Sequence, residues 1–340
     1  MTPEEFLAAQ ARFARVCRFR LVLLACVLAG LWLLSRRATL TPDEAALRDR
    51  VRSAEAALSI MRSAENAADP RRLGVIGVEW SPISTTIGNP AAKRTAADPL
   101  WSVVLLREMR RMGLRSGDRV AILASGSFPG FVLNALMAAE SLGCHVLFAA
   151  SLGASQWGAN DPACPWPLME MFFRRSGFIR TPASWYTLGG DGETGGGIGD
   201  EGRIILMRAA AAAGVPVIAE GGYGEVLAEK IRRLEAFSPR LLITIGGSST
   251  FFGAGNEHAG NGFLESGVPV RDGSVVGWAM SRRIPVFHAI DFRSLSERFG
   301  VPFDGASSGP AVMRAAPAIA GNTVFFAARA THARWRIDRR

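Results

Sequence analysis

Apolar residues along this chain gather into short unbroken runs, separated by longer stretches with a helical repeat. Leu73 to Val78, Val120 to Ala124, His145 to Ala150, Val215 to Ala219, Leu241 to Ile245 and Ile284 to Ile290 lack polar alternation, as strands do when both sheet faces are covered. Between them, Phe131 to Leu142, Leu168 to Arg175 and Arg203 to Ala213 read as helices closed by Gly143, Gly177 and Gly214, and Glu225 to Phe237 as a fourth. This rhythm predicts an α/β domain with a mostly parallel, doubly wound (Rossmann-like) sheet. A division into two lobes, if there is one, is expected near residues 189–202, where glycine and acid residues interrupt the pattern.

One run is of another kind. Leu21 to Leu34 holds fourteen residues without a charge, flanked by Arg12, Arg15, Arg18 and Arg20 before it and by Arg36 and Arg37 after it. A bilayer needs about 20 residues, and flanking arginines that snorkel extend the effective span. Ser35-Arg36-Arg37 occupies the place of a small-x-small cleavage site, and Leu24 fits poorly before Cys26 in a lipoprotein signal. The expectation is an uncleaved, single-pass transmembrane helix in the cell membrane. Four arginines before the run against two after it favour an extracytoplasmic domain, although Arg48 and Arg50 weaken the asymmetry. The chain then divides into a basic segment (1–20), the anchor (21–34), a helical stalk begun by Thr41 and Pro42 (41–70), the α/β domain (71–310) and a tail (311–340).

Composition changes this picture little. The 340 residues are 49% hydrophobic, enough for one or two cored domains. Of the net charge of +9, the first 40 residues supply +4, and 37 arginines stand against two lysines. That ratio points to coding bias, and no basic run is interleaved with aromatics, so nucleic acid is not an expected partner. No cofactor is expected either: GxxxxGK[ST] is absent, and Gly190-Asp191-Gly192-Glu193-Thr194-Gly195 matches the dinucleotide pattern only with acids that would repel a pyrophosphate. Neither HExxH nor a paired CxxC occurs, so no metal is expected. Cys144 and Cys164 are able to pair outside the cytoplasm but do not make a disulfide framework.

In a sheet of this type, function gathers in the loops after the strands' carboxyl ends. Gly126 and Ser127 follow one strand, Ser151, Gly153 and Ser155 the next, and Gly246 and Gly247 a later one; their amides suit an anion or carboxylate. For any one loop a tight turn is the stronger explanation, and it is their coincidence that points to a site. Ser84 and Thr85 precede Lys93 and Arg94, one cation of which is among the two lysines, and charge-assisted binding of a carboxylate stands there beside a solvated helix start. For catalysis, Ser127 or Ser155 is the nucleophile candidate, with His288 or Asp291 assisting; both His145 and His288 fall within apolar runs, where core packing is the commoner role.

The sequence resembles the poly-gamma-glutamate system protein family, membrane-anchored accessory proteins of poly-gamma-glutamate synthesis. The resemblance lies in Ser81-Pro82-Ile83-Ser84-Thr85-Thr86-Ile87-Gly88 with Ala92-Lys93-Arg94-Thr95, Gly126-Ser127-Phe128-Pro129, Ser151-Leu152-Gly153-Ala154-Ser155 with Gly158-Ala159, Trp166 with Met169-Glu170, and Leu188-Gly189-Gly190-Asp191. It extends to about residue 310 and not into the tail. It implies a process at the membrane, with synthase or export subunits and the anionic polymer as partners, and assigns no reaction. Two functions follow: an accessory component that binds the polymer or the synthase, or a hydrolase or transferase acting on the γ-glutamyl chain. Convergence of Thr85, Lys93, Ser127, Ser155, Glu170 and Asp191 on one cleft is the arrangement that would make them a site.

Overall fold

A computed structural model describes residues 17, 19–30, 40–63, 66–219, 221–253, 260–264 and 273–305. Its centre is a mixed α/β sheet of seven strands: β1 (Arg119–Ser125), β2 (His145–Ser151), β3 (Trp185–Thr187), β4 (Val217–Ile218), β5 (Leu241–Ile245), β6 (Gly262–Phe263) and β7 (Val286–Ala289). Their order is β4-β3-β2-β1-β5-β7-β6, parallel throughout except for β6 at the edge. β1 lies between β2 and β5, so the chain winds outward through β2, β3 and β4 and then crosses back to the other side of β1. The crevice at β1 and β5 is therefore where the strand order reverses, and the carboxyl ends of such strands are where ligands bind.

Both faces of the sheet are covered. On one face Ala121, Leu123, Leu242 and Val286 pack with Leu227 and Leu234 of the helix Tyr223–Phe237 and with Val275, Val276 and Ala279 of the helix Val275–Ser281. On the other, the Phe131 ring stacks on Phe287 at 6.2 Å and meets Trp101 edge-on at 5.5 Å. Phe131 belongs to the helix Pro129–Ser141, which is buried from Pro129 to Glu140. It is apolar on all sides, as a helix enclosed between a sheet and further helices must be. Its Asn134 is satisfied inside the core, accepting from the Ser102 amide at 3.0 Å and donating to the Gly130 carbonyl at 2.9 Å.

Several expectations change. The segment read as a stalk is the helix Pro42–Arg62, and its Leu47, Val51, Ala54 and Leu58 are buried against the helices Leu100–Arg111 and Pro129–Ser141. Glu44 caps the Thr41 amide at 2.9 Å and takes two hydrogen bonds from Arg107, at 2.7 and 2.6 Å, which fastens this helix to the domain. Leu73 to Val78 is extended but joins no strand. The side chain of Asn160 donates to and accepts from the Val78 backbone, and Gly77 and Val78 exchange bonds with Trp157, so its backbone groups are satisfied without a ladder. The described residues from 40 to 297, with 301–305, form one compact unit, so no lobe division falls near 189–202.

Residues 19–30 form a helix outside that unit. Leu21, Val22, Leu23, Leu24 and Leu28 on it are each more than half exposed. Among the described residues no helix is long and apolar enough to cross a membrane. The expected anchor runs on through residues 31–34, which lie outside the described ones, as does the tail from 311.

Candidate functional site

The parallel register aligns the ends of three strands. Ser125 of β1 pairs with Ser151 of β2, which in turn pairs with Thr187 of β3, so hydroxyl side chains stand in one row along the carboxyl edge. The loops that continue from this edge enclose a cleft of about 760 Å³, within the range of small-molecule sites. Ser125, Ser127 and Phe128 line it from β1; Ser151, Gly153 and Ser155 from β2; Gly189, Gly190, Asp191, Glu193, Gly196 and Gly197 from β3; Gly247, Ser248 and Ser249 from β5; and Ile290 from β7. Thr85 to Asn89, with Ala92 and Lys93, close the remaining side. Gly246, at φ +86°, makes the turn after β5 possible, since a Cβ there would stand 2.0 Å from the Ser125 oxygen.

Lys93 is the cation of this cleft. It lies on the short helix Pro90–Ala96, capped by the Asn89 side chain, which accepts from Ala91 at 2.9 Å. Its Nζ is 2.6 Å from Ser155 Oγ, donates to the Ser127 carbonyl at 2.6 Å, and sits 3.8 Å from the centroid of the Phe128 ring. No carboxylate among the described residues is bonded to it. Burial alone lowers its pKa to about 7, because removing the ammonium from water disfavours the charged form. Ser127 Oγ accepts from the Ser155 amide at 3.1 Å, which holds the two serines together.

The glycine-rich loop after β3 owes its shape to one residue that faces inward. Glu193, at φ +61° and 1% exposed, is bonded to Lys230 and accepts from Thr187 at 2.8 Å and from Thr250 at 2.9 Å. Lys230 also donates to Thr250 at 3.0 Å, so this buried pair ties the loop after β3 to the loop after β5. Burial pulls the Lys230 ammonium below its usual range, and Glu193 opposes that shift. The same loop carries the GxGxxG match, and it bends through several left-handed residues before the next helix begins at Asp200.

Thr85, Lys93, Ser127, Ser151, Gly153, Ser155, Asp191 and Gly247 thus line one cleft. Others do not. Arg94, next to Lys93 on a helix, points away and forms a bidentate pair with Asp304 at 2.6 and 2.7 Å. Ser84 is buried, bonding the Ser81 amide and Asn160. Gly126 and Gly246 shape the turns without lining the cleft. Glu170 is buried on the helix Trp166–Arg175, where it accepts from Tyr186 at 2.6 Å and from the Ala183 amide at 2.8 Å; burial raises its pKa. His288 is a core residue of β7. Its Nδ1 is 2.9 Å from Thr244 Oγ1, its ring lies against Phe252, and burial lowers its pKa to about 4. Asp291 caps the following helix through the Arg293 amide at 3.0 Å. Cys144 and Cys164 are both free thiols.

Lys230, Glu193, Thr250 and Phe128 were not expected at the site. The signal for Lys230 was its rarity: in a chain that uses arginine 37 times there are two lysines, and both are buried, at 4% exposure each, Lys93 lining the cleft and Lys230 holding the lining residue Glu193. A guanidinium is broader and stays charged, so a position requiring a compact or deprotonating amine keeps lysine. Among the described residues no group of His, Cys, Asp and Glu is arranged to hold a metal ion. No family model matches the chain, and no curated protein matches it.

Proposed function

We propose that the protein is a membrane-anchored accessory component of poly-gamma-glutamate synthesis or export, whose doubly wound, Rossmann-like domain holds a segment of the anionic polymer or docks the synthase. The observation that carries this reading is the meeting of four Gly/Ser-rich loops and Lys93 in one cleft at the sheet's carboxyl edge. A γ-glutamyl chain offers a carboxylate and an amide in every unit. Hydroxyls and backbone amides answer both groups, and Lys93 in its protonated form adds attraction. The exposed apolar side chains on the helix at 19–30 support the tether, with the arginines at both ends of Leu21–Leu34 anchoring it at the interface. The tethered domain would then work at the membrane where such a polymer is made or exported.

Binding of polymer to the full chain in detergent micelles tests this. The expected result is saturable binding that weakens as salt rises, since screening shortens the reach of the charges. Binding that is absent, or indifferent to salt, contradicts it.

A further inference from the structure

Among the described residues that line the cleft, Ser155 is the one whose hydroxyl is bonded to an amine. A lysine Nζ that stayed an ammonium would donate to Ser155 and leave it inert. A neutral amine bonded to the same atom uses its lone pair to accept the Ser155 proton, and the burial that keeps Lys93 from water favours that form. Serine with lysine as its base is an established variant of the nucleophile and base arrangement. Ser127, at its 3.1 Å bond from the Ser155 amide, uses only its lone pair and keeps its own proton for a third atom. Ser127 and Ser155 both line the cleft.

We propose that Ser155 and Lys93 form a nucleophile and base pair that cleaves γ-glutamyl amide bonds of the chain held in the cleft, with Ser127 Oγ donating to the carbonyl oxygen. The proposal rests on the reading of the cleft as a polymer site. Ser155 Oγ bonds to the amide carbon while its proton passes to Lys93 Nζ. The carbon–nitrogen bond then breaks, and Lys93 returns that proton to the departing amine, leaving an ester on Ser155. A water molecule attacks the ester, gives a proton to Lys93, and releases the shortened chain's carboxylic acid as Ser155 regains its proton. Asp191 and Glu193 are the other ionisable side chains lining the cleft, and Glu193 is turned into its pair with Lys230. Arg94, on the same helix as Lys93, is engaged with Asp304, so Lys93 is the proton acceptor within reach of Ser155.

The test uses the full chain in micelles and a fluorophosphonate that acylates activated serines. Peptide mass analysis is expected to find the label on Ser155, with a rate rising through a midpoint near pH 7. Ser155→Ala abolishes the label, and Lys93→Met and Lys93→Arg each slow it roughly 100-fold or more and remove the midpoint. Thermal melting of each variant shows that it is folded. An unlabelled Ser155 in folded wild type, or a rate profile unaltered in Lys93→Met, overturns the proposal. Polymer bound but neither labelled serine nor shortened chains removes the chemistry and leaves the binding reading intact. A labelled Ser155 with no polymer binding overturns the γ-glutamyl substrate, and the polymer reading with it.

Discussion

Lys93 Nζ lies 2.6 Å from Ser155 Oγ, joining the helix Pro90–Ala96 to the loop after β2. The bond brings together two residues 62 positions apart, and it does so where no carboxylate among the described residues balances the lysine's charge. A cation placed this way burdens the fold.

Lys93→Met should therefore stabilise the protein, and by more at neutral than at alkaline pH. The unfolded lysine binds its proton near pH 10.5, whereas the folded one waits until about 7. As pH falls between those values the unfolded state gains a proton that the native state lacks, and wild-type stability declines with it. Methionine has no such term. Chemical denaturation of both proteins at pH 7 and pH 10.5 should show the largest gain at pH 7, of several kcal/mol at most by the size of the shift. An equal difference at both pH values would mean that Lys93 remains an ammonium.

The Glu193 and Lys230 pair should be strongly coupled. Lys230→Met leaves a carboxylate buried without its cation, which costs about 3–5 kcal/mol, and leaves the Thr250 bond to Glu193 as the remaining tie between the glycine-rich loop and the loop after β5. Adding Glu193→Gln should recover most of that loss, because the amide still meets Thr187 and Thr250. A double-mutant cycle from denaturant midpoints measures the coupling. Additive losses would show that the pair is not one unit.

Arg94→Ala should leave polymer affinity and its salt dependence unaltered while lowering stability by about 1–2 kcal/mol, since what it loses is the partly buried bidentate pair with Asp304. A weaker salt slope in this variant would place Arg94 in the polymer's path.

Glu55 offers a pH test remote from the cleft. Both of its carboxyl oxygens are buried without a hydrogen-bond partner among the described residues, and burial, reinforced by Asp98 and Asp69, raises its pKa well above the ordinary value. The folded carboxyl stays protonated while the unfolded one ionises above about pH 4.5, so wild type loses stability as pH rises through that point. Glu55→Gln should remove this loss, and its advantage over wild type in thermal melts should appear above pH 4.5 and vanish below it.

The parts of the fold that were legible in the sequence are those fixed by local pattern. Val120 to Ala124 and Leu241 to Ile245 fall on β1 and β5 because unbroken apolar runs have only a doubly covered sheet to enter. Trp185–Thr187 was hidden because three residues carry no period, and it becomes a strand only through pairing with Ala149 to Ser151. Leu73 to Val78 carries the pattern of a strand but finds its partners in Asn160 and Trp157, a tertiary choice that local sequence does not reveal. The helix Pro42–Arg62 was legible as a helix, and Leu47, Val51, Ala54 and Leu58 already formed the stripe that buries it. At the site, loop position after a strand was enough to find Ser127, Ser151 and Ser155. Side-chain direction was not, which is why Arg94 and His288 were grouped with them and Glu193 and Lys230 were not.

The most direct test of the polymer-binding cleft is to fill it. Gly247 lines it with an ordinary backbone angle, and a Cβ there would meet only Ile290 Cδ1 at 3.4 Å, so Gly247→Trp sends an indole into the cleft with little strain. Polymer binding to the full chain should fall at least about tenfold, a loss of some 1.4 kcal/mol, with the melting temperature kept. Unchanged affinity in a folded Gly247→Trp protein would contradict the assignment of the polymer to this cleft.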